Sequence, residues 1–302
     1  MGQAVSGLYG VVDGQKGISR WNLTKSIQNG SYVASNTKQA TVRMRGIEDA
    51  NGGWTSQSVV PLAMPGQRLS AVFDAGVNIA IPSQHWLYSG NVILAQLQVN
   101  WDWTMNKPIT YNYTWAADGP IVQSSGAALA DTSEEVGKSS FDNFIYVGDS
   151  MGSGSSGGAG TKLCARTATL TITSKLVQNA DSCTEGTYQR LAGPLDWTLA
   201  LNFAGNDLDG FWQNGDTLGD IVALRADVDS VNDSHWFLKW GRVGDLSNLQ
   251  VDVESGEIIS ATANLAMSAY DDDDVLGQIT IPSETGTALW WPNNTNLALI
   301  PA

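Results

Sequence analysis

From Leu97 to Trp115 the chain alternates in polarity. Leu97, Val99, Trp101 and Trp103 are apolar, and Gln98, Asn100, Asp102 and Thr104 follow them in turn. After Met105–Pro108 the apolar residues Ile109, Tyr111, Tyr113 and Trp115 alternate with Thr110, Asn112 and Thr114. A period of two on both sides of a short polar turn predicts a β-hairpin with one buried face. The pattern returns late in the chain. Leu249, Val251 and Val253 alternate with Gln250, Asp252 and Glu254, and Ser255–Gly256 supply a turn. Ile259, Ala261, Ala263, Leu265 and Met267 then alternate with Ser260, Thr262, Asn264 and Ser268. Thr41–Arg45 and Thr169–Thr173 also read as strands. Helical periodicity is weak throughout, and one short helix per half, near Pro61–Gln67 or Ser230–Phe237, is the most it allows. The expected fold class is all-β, with two tandem sandwich or barrel domains.

The tandem arrangement comes from internal matches in collinear order. Asn36–Gln39 faces Gly186–Gln189. Asp49, Gly52 and Trp54 face Asp207, Gly210 and Trp212, and Gly66 faces Gly215. His85-Trp86 faces His235-Trp236, and Leu97–Asn100 (LQVN) faces Leu249–Asp252 (LQVD). The chain has two histidines, and this repeat accounts for both as structural residues at the start of a strand. No H-x-x-x-H spacing, cysteine partner or acidic relay near them points to a metal or a catalyst. The domains expected are residues 1–123 and 141–302, joined by a polar linker over 124–140. Gly152–Gly160 (GSGSSGGAG) reads as the tip of a long hairpin in the second domain. The weight of a Gly/Ser run as a flexible linker stands against that reading.

Most of the twelve tryptophans fall at alternating strand positions, as core packing requires. Trp290 and Trp291 are adjacent, so a strand would turn one of them away from the core, towards solvent or an interface. The formal charge is -14, and its placement is uneven. Residues 1–139 hold 9 acidic and 9 basic residues; residues 140–302 hold 21 acidic and 7 basic. An acidic chain does not hold nucleic acid through phosphate contacts. No apolar run is long enough to span a membrane, and no secretory signal opens the sequence. Met1–Ser6 fits the loose myristoylation pattern, with nothing else pointing to an anchor. Cys164 and Cys183 are too few for a disulfide framework or a zinc site, and read as thiols in a reducing cytoplasm.

Catalytic motifs are missing from the sequence: no nucleophile elbow with a usable histidine, no phosphate loop and no dinucleotide fingerprint. Asp271–Asp274 lacks the alternation of a calcium loop and reads as a solvated loop. The segments at Asp49 and Asp207 carry part of a calcium pattern and read as Asx turns followed by a packing tryptophan. A glycosidase carboxylate pair is not picked out among the 30 acids. No enzyme activity, metal or cofactor is expected.

A series of short motifs gives the chain a family likeness. They are Tyr9-Gly10, Asp13-Gly14, Ile18 and Trp21 in an opening hairpin, Ser35-Asn36-Thr37, and a turn at Asp49, Gly52 and Trp54. Met64-Pro65-Gly66, Tyr88-Ser89-Gly90 and Asp118-Gly119 complete the set. The sequence resembles the major tail (tail tube) proteins of long-tailed, non-contractile bacteriophages, over about residues 5–120 and less closely over 141–285. In the second stretch the Tyr-Ser-Gly motif has become Lys-Trp-Gly and Met-Pro-Gly has become Gln-Asn-Gly. The resemblance implies two tail-tube-like β domains in a non-enzymatic virion protein, assembled in the host cytoplasm. Its rings stack into a hollow tube that double-stranded DNA passes through unbound. Three duplicated chains would form a pseudo-hexameric ring. The implied partners are copies of the chain itself and other tail proteins, such as the tape measure and tube-end proteins. The polar hairpin face, with Asn100, Asp102, Asp252 and Glu254, is the candidate lumen wall. The Gly/Ser hairpin, with Gly152, Gly154, Gly157, Gly158 and Gly160, is the candidate contact between rings. Two other readings stay open: a carbohydrate-binding β-sandwich with exposed aromatic platforms, and a tail hub or adhesin using the same domain.

Overall fold

A computed structural model of the chain describes residues 10–12, 18–33, 41–57, 64–129, 137–148, 161–181, 184, 186–204, 221–229, 234–243, 250–252, 260–267, 279–281 and 289–291. These residues are mostly strand and contain no α-helix; a 3-10 turn spans Ser140–Asp142. The strands of the first half are β1 (Gly10–Val12), β2 (Ile18–Ile27), β3 (Gly30–Tyr32), β4 (Val42–Met44), β5 (Glu48–Ser56), β6 (Arg68–Val77), β7 (His85–Asp102), β8 (Thr110–Ala117) and β9 (Val122–Gly126). Those of the second half are β10 (Ile145–Gly148), β11 (Thr161–Leu163), β12 (Ala165–Asn179), β13 (Gln189–Ala204), β14 (Ile221–Asp229), β15 (Ser234–Val243), β16 (Gln250–Asp252), β17 (Ser260–Met267), β18 (Ile279–Ile281) and β19 (Leu289–Trp291).

The predicted hairpin is present in register. Asn100 faces Thr110, Gln98 faces Asn112 and Leu97 faces Tyr113 across β7 and β8. Its late counterpart is the β16–β17 pair, with Gln250 opposite Thr262 and Asp252 opposite Ser260. β7 is long enough to serve two layers. Its first half pairs with β6 and β9, and its second half with β8 and β12. Phe73 on β6 stacks on Trp21 (5.1 Å) and on Trp115 (5.4 Å), which closes the β6 layer over β2, β5 and β8. The core between the layers is continuous through both halves. It holds Trp54, Phe73, Leu97, Trp101, Tyr111 and Trp115 from the first and Leu170, Ile172, Trp197, Leu199 and Phe203 from the second.

The two halves share one pairing scheme. β1–β6, β2–β5, β5–β8, β6–β7, β7–β8 and β7–β9 are antiparallel pairs. They are matched in order by β10–β14, β12–β13, β13–β17, β14–β15, β16–β17 with β15–β17, and β15–β18. The second-half equivalent of the long β7 is thus β15 followed by β16. Gln98–Asn100 and Gln250–Asp252 of the LQVN and LQVD segments occupy equivalent places on β7 and β16.

Several expectations are corrected. Glu48–Trp54, read as an Asx turn, is strand β5, paired over its length with β2 and at Asn51–Ser56 with β8. Its glycines are there for close approach. A Cβ on Gly52 would lie 2.7 Å from Trp115 Cζ2 and would collide with the Asn22 carbonyl. The counterpart of β5 is β13, and the register puts Leu201 opposite Ala263 where Trp54 is opposite Tyr113. Asp207, Gly210 and Trp212 lie outside the described residues. The opening hairpin is also revised: among the described residues β1 pairs with β6, Gly10 opposite Phe73, and not with β2. In the expected linker, Ser124–Gly126 belong to β9, and Ser140 is buried at the 3-10 turn with its hydroxyl donating to Lys107 O at 2.8 Å. Met64–Gln67 is a tight turn as expected, with Gln67 N–H donating to Met64 O (3.1 Å) and Gly66 at φ +89.

Candidate functional site

The strands β2, β5, β8, β7, β12, β13, β17 and β16 lie side by side in one sheet, and parity decides which residues share each face. One face is the core. The other carries Asn22 and Thr24, Thr55, Asn112 and Thr114, Gln96, Gln98 and Asn100. It continues over Thr169, Thr171 and Thr173, Thr198, Asn202, Thr262 and Asn264, to the register positions of Gln250 and Asp252. Short amides and hydroxyls bond across the strands. Asn22 Oδ1 accepts from Gly53 N–H (2.6 Å), Thr55 Oγ1 donates to Asn112 Oδ1 (2.8 Å), and Thr169 Oγ1 donates to Asn100 Oδ1 (3.1 Å). Such pairs fix register without needing charge.

Asn100 and Asp102 sit on this face where the two halves meet, opposite Thr169 and Thr167. Asp102 ends β7 and is held by its own turn. Its carboxylate accepts from Thr104 Oγ1 (2.6 Å) and Thr104 N–H (3.0 Å) and pairs with Lys107 Nζ (2.9 Å). The Thr104 hydroxyl, then Lys107, hold its carboxyl below the usual carboxylate range. Asp252 lies on β16, two strands beyond β13 on the same sheet. Glu254 lies outside the described residues, as do Gly152, Gly154, Gly157, Gly158 and Gly160. The strands that bracket the Gly/Ser run, β10 and β11, pair antiparallel with Tyr146 opposite Lys162.

The histidines have acidic neighbours that periodicity did not reveal. Asp74 is buried on β6, and its carboxylate lies 2.8 and 2.9 Å from His85 Nδ1. A carboxylate only accepts, so Nδ1 carries the proton in this pair. The same carboxylate takes N–H bonds from Gly76 (2.8 Å) and Leu129 (3.2 Å). In the second half Asp227, also buried, stands opposite His235 in the β14–β15 register. The visible signal was an aspartate inside the apolar run Ala71–Val77. With its carboxylate filled by structural donors, this pair pins a turn.

A second junction between the halves surrounds Arg190. This side chain is 3% exposed, and its Nη2 pairs with Asp49 Oδ1 at 2.6 Å. Its Nη1 donates to the Ala117 carbonyl, and its backbone N–H donates to Asp118 Oδ1 (2.7 Å). Beside it is a cavity of about 780 Å³ lined by Arg45, Glu48, Arg68, Asp118 and Gln189 among others. Its charges are matched internally. Lys25 and Arg45 bind Glu48 at 2.6 and 3.0 Å, and Arg68 binds Asp118 at 2.5 Å. Lys25, then Arg45, lower the Glu48 pKa against the effect of its burial. Among the described residues no three His, Cys, Asp or Glu side chains cluster to hold a metal, and no helix is long and apolar enough to cross a membrane. Cys164 is exposed, and Cys183 lies outside the described residues. A scan against protein-family models matched none of them, and no curated protein matched the chain.

Proposed function

We propose that this protein is a structural subunit of a phage tail tube, built from two equivalent β domains in one chain. Three chains form a ring of six domains, and the rings stack into a hollow conduit for DNA. The reading is carried by one observation: two halves with the same strand pairing are joined edge to edge in one sheet whose non-core face is mainly polar. A module joined to its equivalent by sheet edges is the element from which a closed ring is made. The polar face, with Asn100, Asp102 and the register position of Asp252, lines the lumen in this reading. Amides, hydroxyls and carboxylates suit that role, because each Lys or Arg bound to phosphate would slow the passing duplex. The overall charge of -14 acts in the same direction.

A carbohydrate-binding role draws less support. It needs neighbouring aromatic platforms open to solvent; among the described residues Trp54, Trp101, Trp115, Trp197 and Tyr111 are buried in the core, and the exposed Tyr32, Trp86 and Phe141 sit on three separate elements. The test is electron microscopy of the purified chain across a concentration series. Hollow stacked rings with three-fold symmetry and six lobes are expected. A single ring that never stacks would favour a hub. A monomer at every concentration whose tryptophan fluorescence is quenched by glycans would replace the proposal with a lectin-like one.

A further inference from the structure

The cavity beside Arg190 holds more hydrogen-bond donors than its own acceptors use. Arg45 and Arg68 line it, and Lys25 reaches one of its carboxylates. Against these three cations stand two carboxylates, Glu48 and Asp118. All four carboxylate oxygens are engaged. Glu48 Oε1 takes Lys25 Nζ (2.6 Å) and Oε2 takes Arg45 Nη2 (3.0 Å). Asp118 Oδ2 takes Arg68 Nε (2.5 Å), and Oδ1 takes the Arg190 N–H (2.7 Å). A guanidinium carries five N–H donors in a fixed fork. Arg45 bonds through Nη2 and Arg68 through Nε, so among the described residues Arg45 Nη1 and both Nη atoms of Arg68 have no protein acceptor. The carboxylates are used up and the guanidinium forks are not. What such a site lacks is an acceptor with negative charge, in a chain whose formal charge is -14.

The walls say more about the ligand. Arg45, Arg68 and Asn91 come from the first half, and Thr187 and Gln189 from the second. The two sides are tied by backbone bonds, from Glu48 N–H to Gly186 O (2.7 Å) and from Gly119 N–H to Tyr188 O (2.9 Å). Buried Arg190 ties the same segments through Asp49, so the cavity is formed before any ligand arrives. At about 780 Å³ it has room for a ligand much larger than a bare oxyanion. Its uncharged polar lining consists of amides and hydroxyls, which bond to hydroxyl groups. The Thr187 hydroxyl donates to Thr184 O (2.8 Å) and keeps its lone pairs for an incoming O–H. No aromatic side chain lines the cavity among the described residues, so it offers no platform for stacking a base.

We infer that this cavity binds a small hydroxylated oxyanion, a sugar phosphate or a sugar acid. Arg45 and Arg68 take the anionic group through their unspent N–H donors. Asn91, Thr187 and Gln189 take the hydroxyls. The ligand touches both halves, so it adds to the junction that Arg190 makes. The site lies within one chain and stands whether or not the protein forms a tube.

The test is titration calorimetry of the full chain at fixed ionic strength, which keeps general screening constant. The probes are glucose 6-phosphate and glucuronate, with glucose and inorganic phosphate for comparison. Saturable binding of at least one of the first two is expected, at least tenfold tighter than either comparison. Whichever binds better identifies the anionic group as phosphate or carboxylate. Arg45→Gln should weaken that binding at least fivefold. The Arg45 side chain is 76% exposed, and Glu48 keeps Lys25, so the fold survives the change. Asn91→Ala disturbs no ion pair and should weaken the same probe at least threefold. Lys107→Gln, on the β7–β8 turn, should leave it unchanged. No saturable binding of either probe would overturn the inference. So would glucose or inorganic phosphate binding as tightly, or an affinity that Arg45→Gln leaves as it was.

Discussion

Arg190 allows a quantitative test of how the two halves are held together. Its guanidinium is buried, comes from the second half, and spends its donors on Asp49 and the Ala117 carbonyl in the first. Replacing it by Met keeps the aliphatic stem and removes every charged donor. Removing one partner of a buried ion pair costs about 3–5 kcal/mol. Asp49 retains 21% exposure, so water recovers part of its solvation and the low end of that range applies. The orphaned carbonyl adds about 1 kcal/mol. The expected loss for Arg190→Met is therefore about 3–4 kcal/mol, read as a lower urea midpoint at unchanged slope. Arg190→Lys should recover only part of this, because one ammonium cannot reproduce the planar fork that serves both acceptors. In a double-mutant cycle, Asp49→Asn should cost little once Arg190 is gone, with a coupling of about 1.5 kcal/mol or more. The loss should also change little with salt, since a buried pair is poorly screened. A loss below about 1 kcal/mol, or additive single effects, would refute this account of the junction.

Other expectations follow from neighbouring features. Asp74→Ala leaves the N–H groups of Gly76 and Leu129 and the His85 ring without their acceptor, and should cost about 2–3 kcal/mol in thermal or urea unfolding. Tyr113 is fully buried with no hydrogen-bond partner for its hydroxyl among the described residues, and burial raises its pKa well above the ordinary value. Tyr113→Phe should therefore leave the melting temperature unchanged or raise it. Asp102 and Glu48 have lowered pKa values in the folded state, so their contribution is full above the unfolded values of 3.8 and 4.5. It is lost as pH falls through the folded values. Stability should decline with acid below about pH 4.5, and Asp102→Asn should flatten the part of that decline below about pH 3.8.

The all-β architecture was legible because alternation is a local signal. Leu97–Trp115 states which residues face the core, and the β7–β8 register obeys it. The turn at Pro65-Gly66 was legible for the same reason, since a proline followed by a glycine at positive φ defines its geometry within four residues. Partnership between distant strands was not. β1 lies against β6 about 60 residues away, and nothing in Gly10–Val12 names that neighbour. β5 was misread because Asn51-Gly52-Gly53 carries turn chemistry in its composition. The reason for the glycines is the Trp115 ring over the strand, 63 residues further on. The Asp74–His85 pair needed the hairpin register before the two residues could be seen to meet. The polar face of β7 and β8 is legible along each strand, but its continuity through β12 depends on the junction between halves, which no periodicity encodes.

That junction bears on the kinetics of assembly. Seven residue pairs between β7 and β12 form within one polypeptide, so their formation does not depend on protein concentration. Six separate domains would have to meet through six bimolecular contacts before a ring closed. In the proposed ring of three chains, three of those six are already made within the polypeptides, and closure would be a three-body event. Nucleation of such a ring would then depend on a lower power of concentration, so it could start from a dilute pool where a chain with one domain would still be waiting.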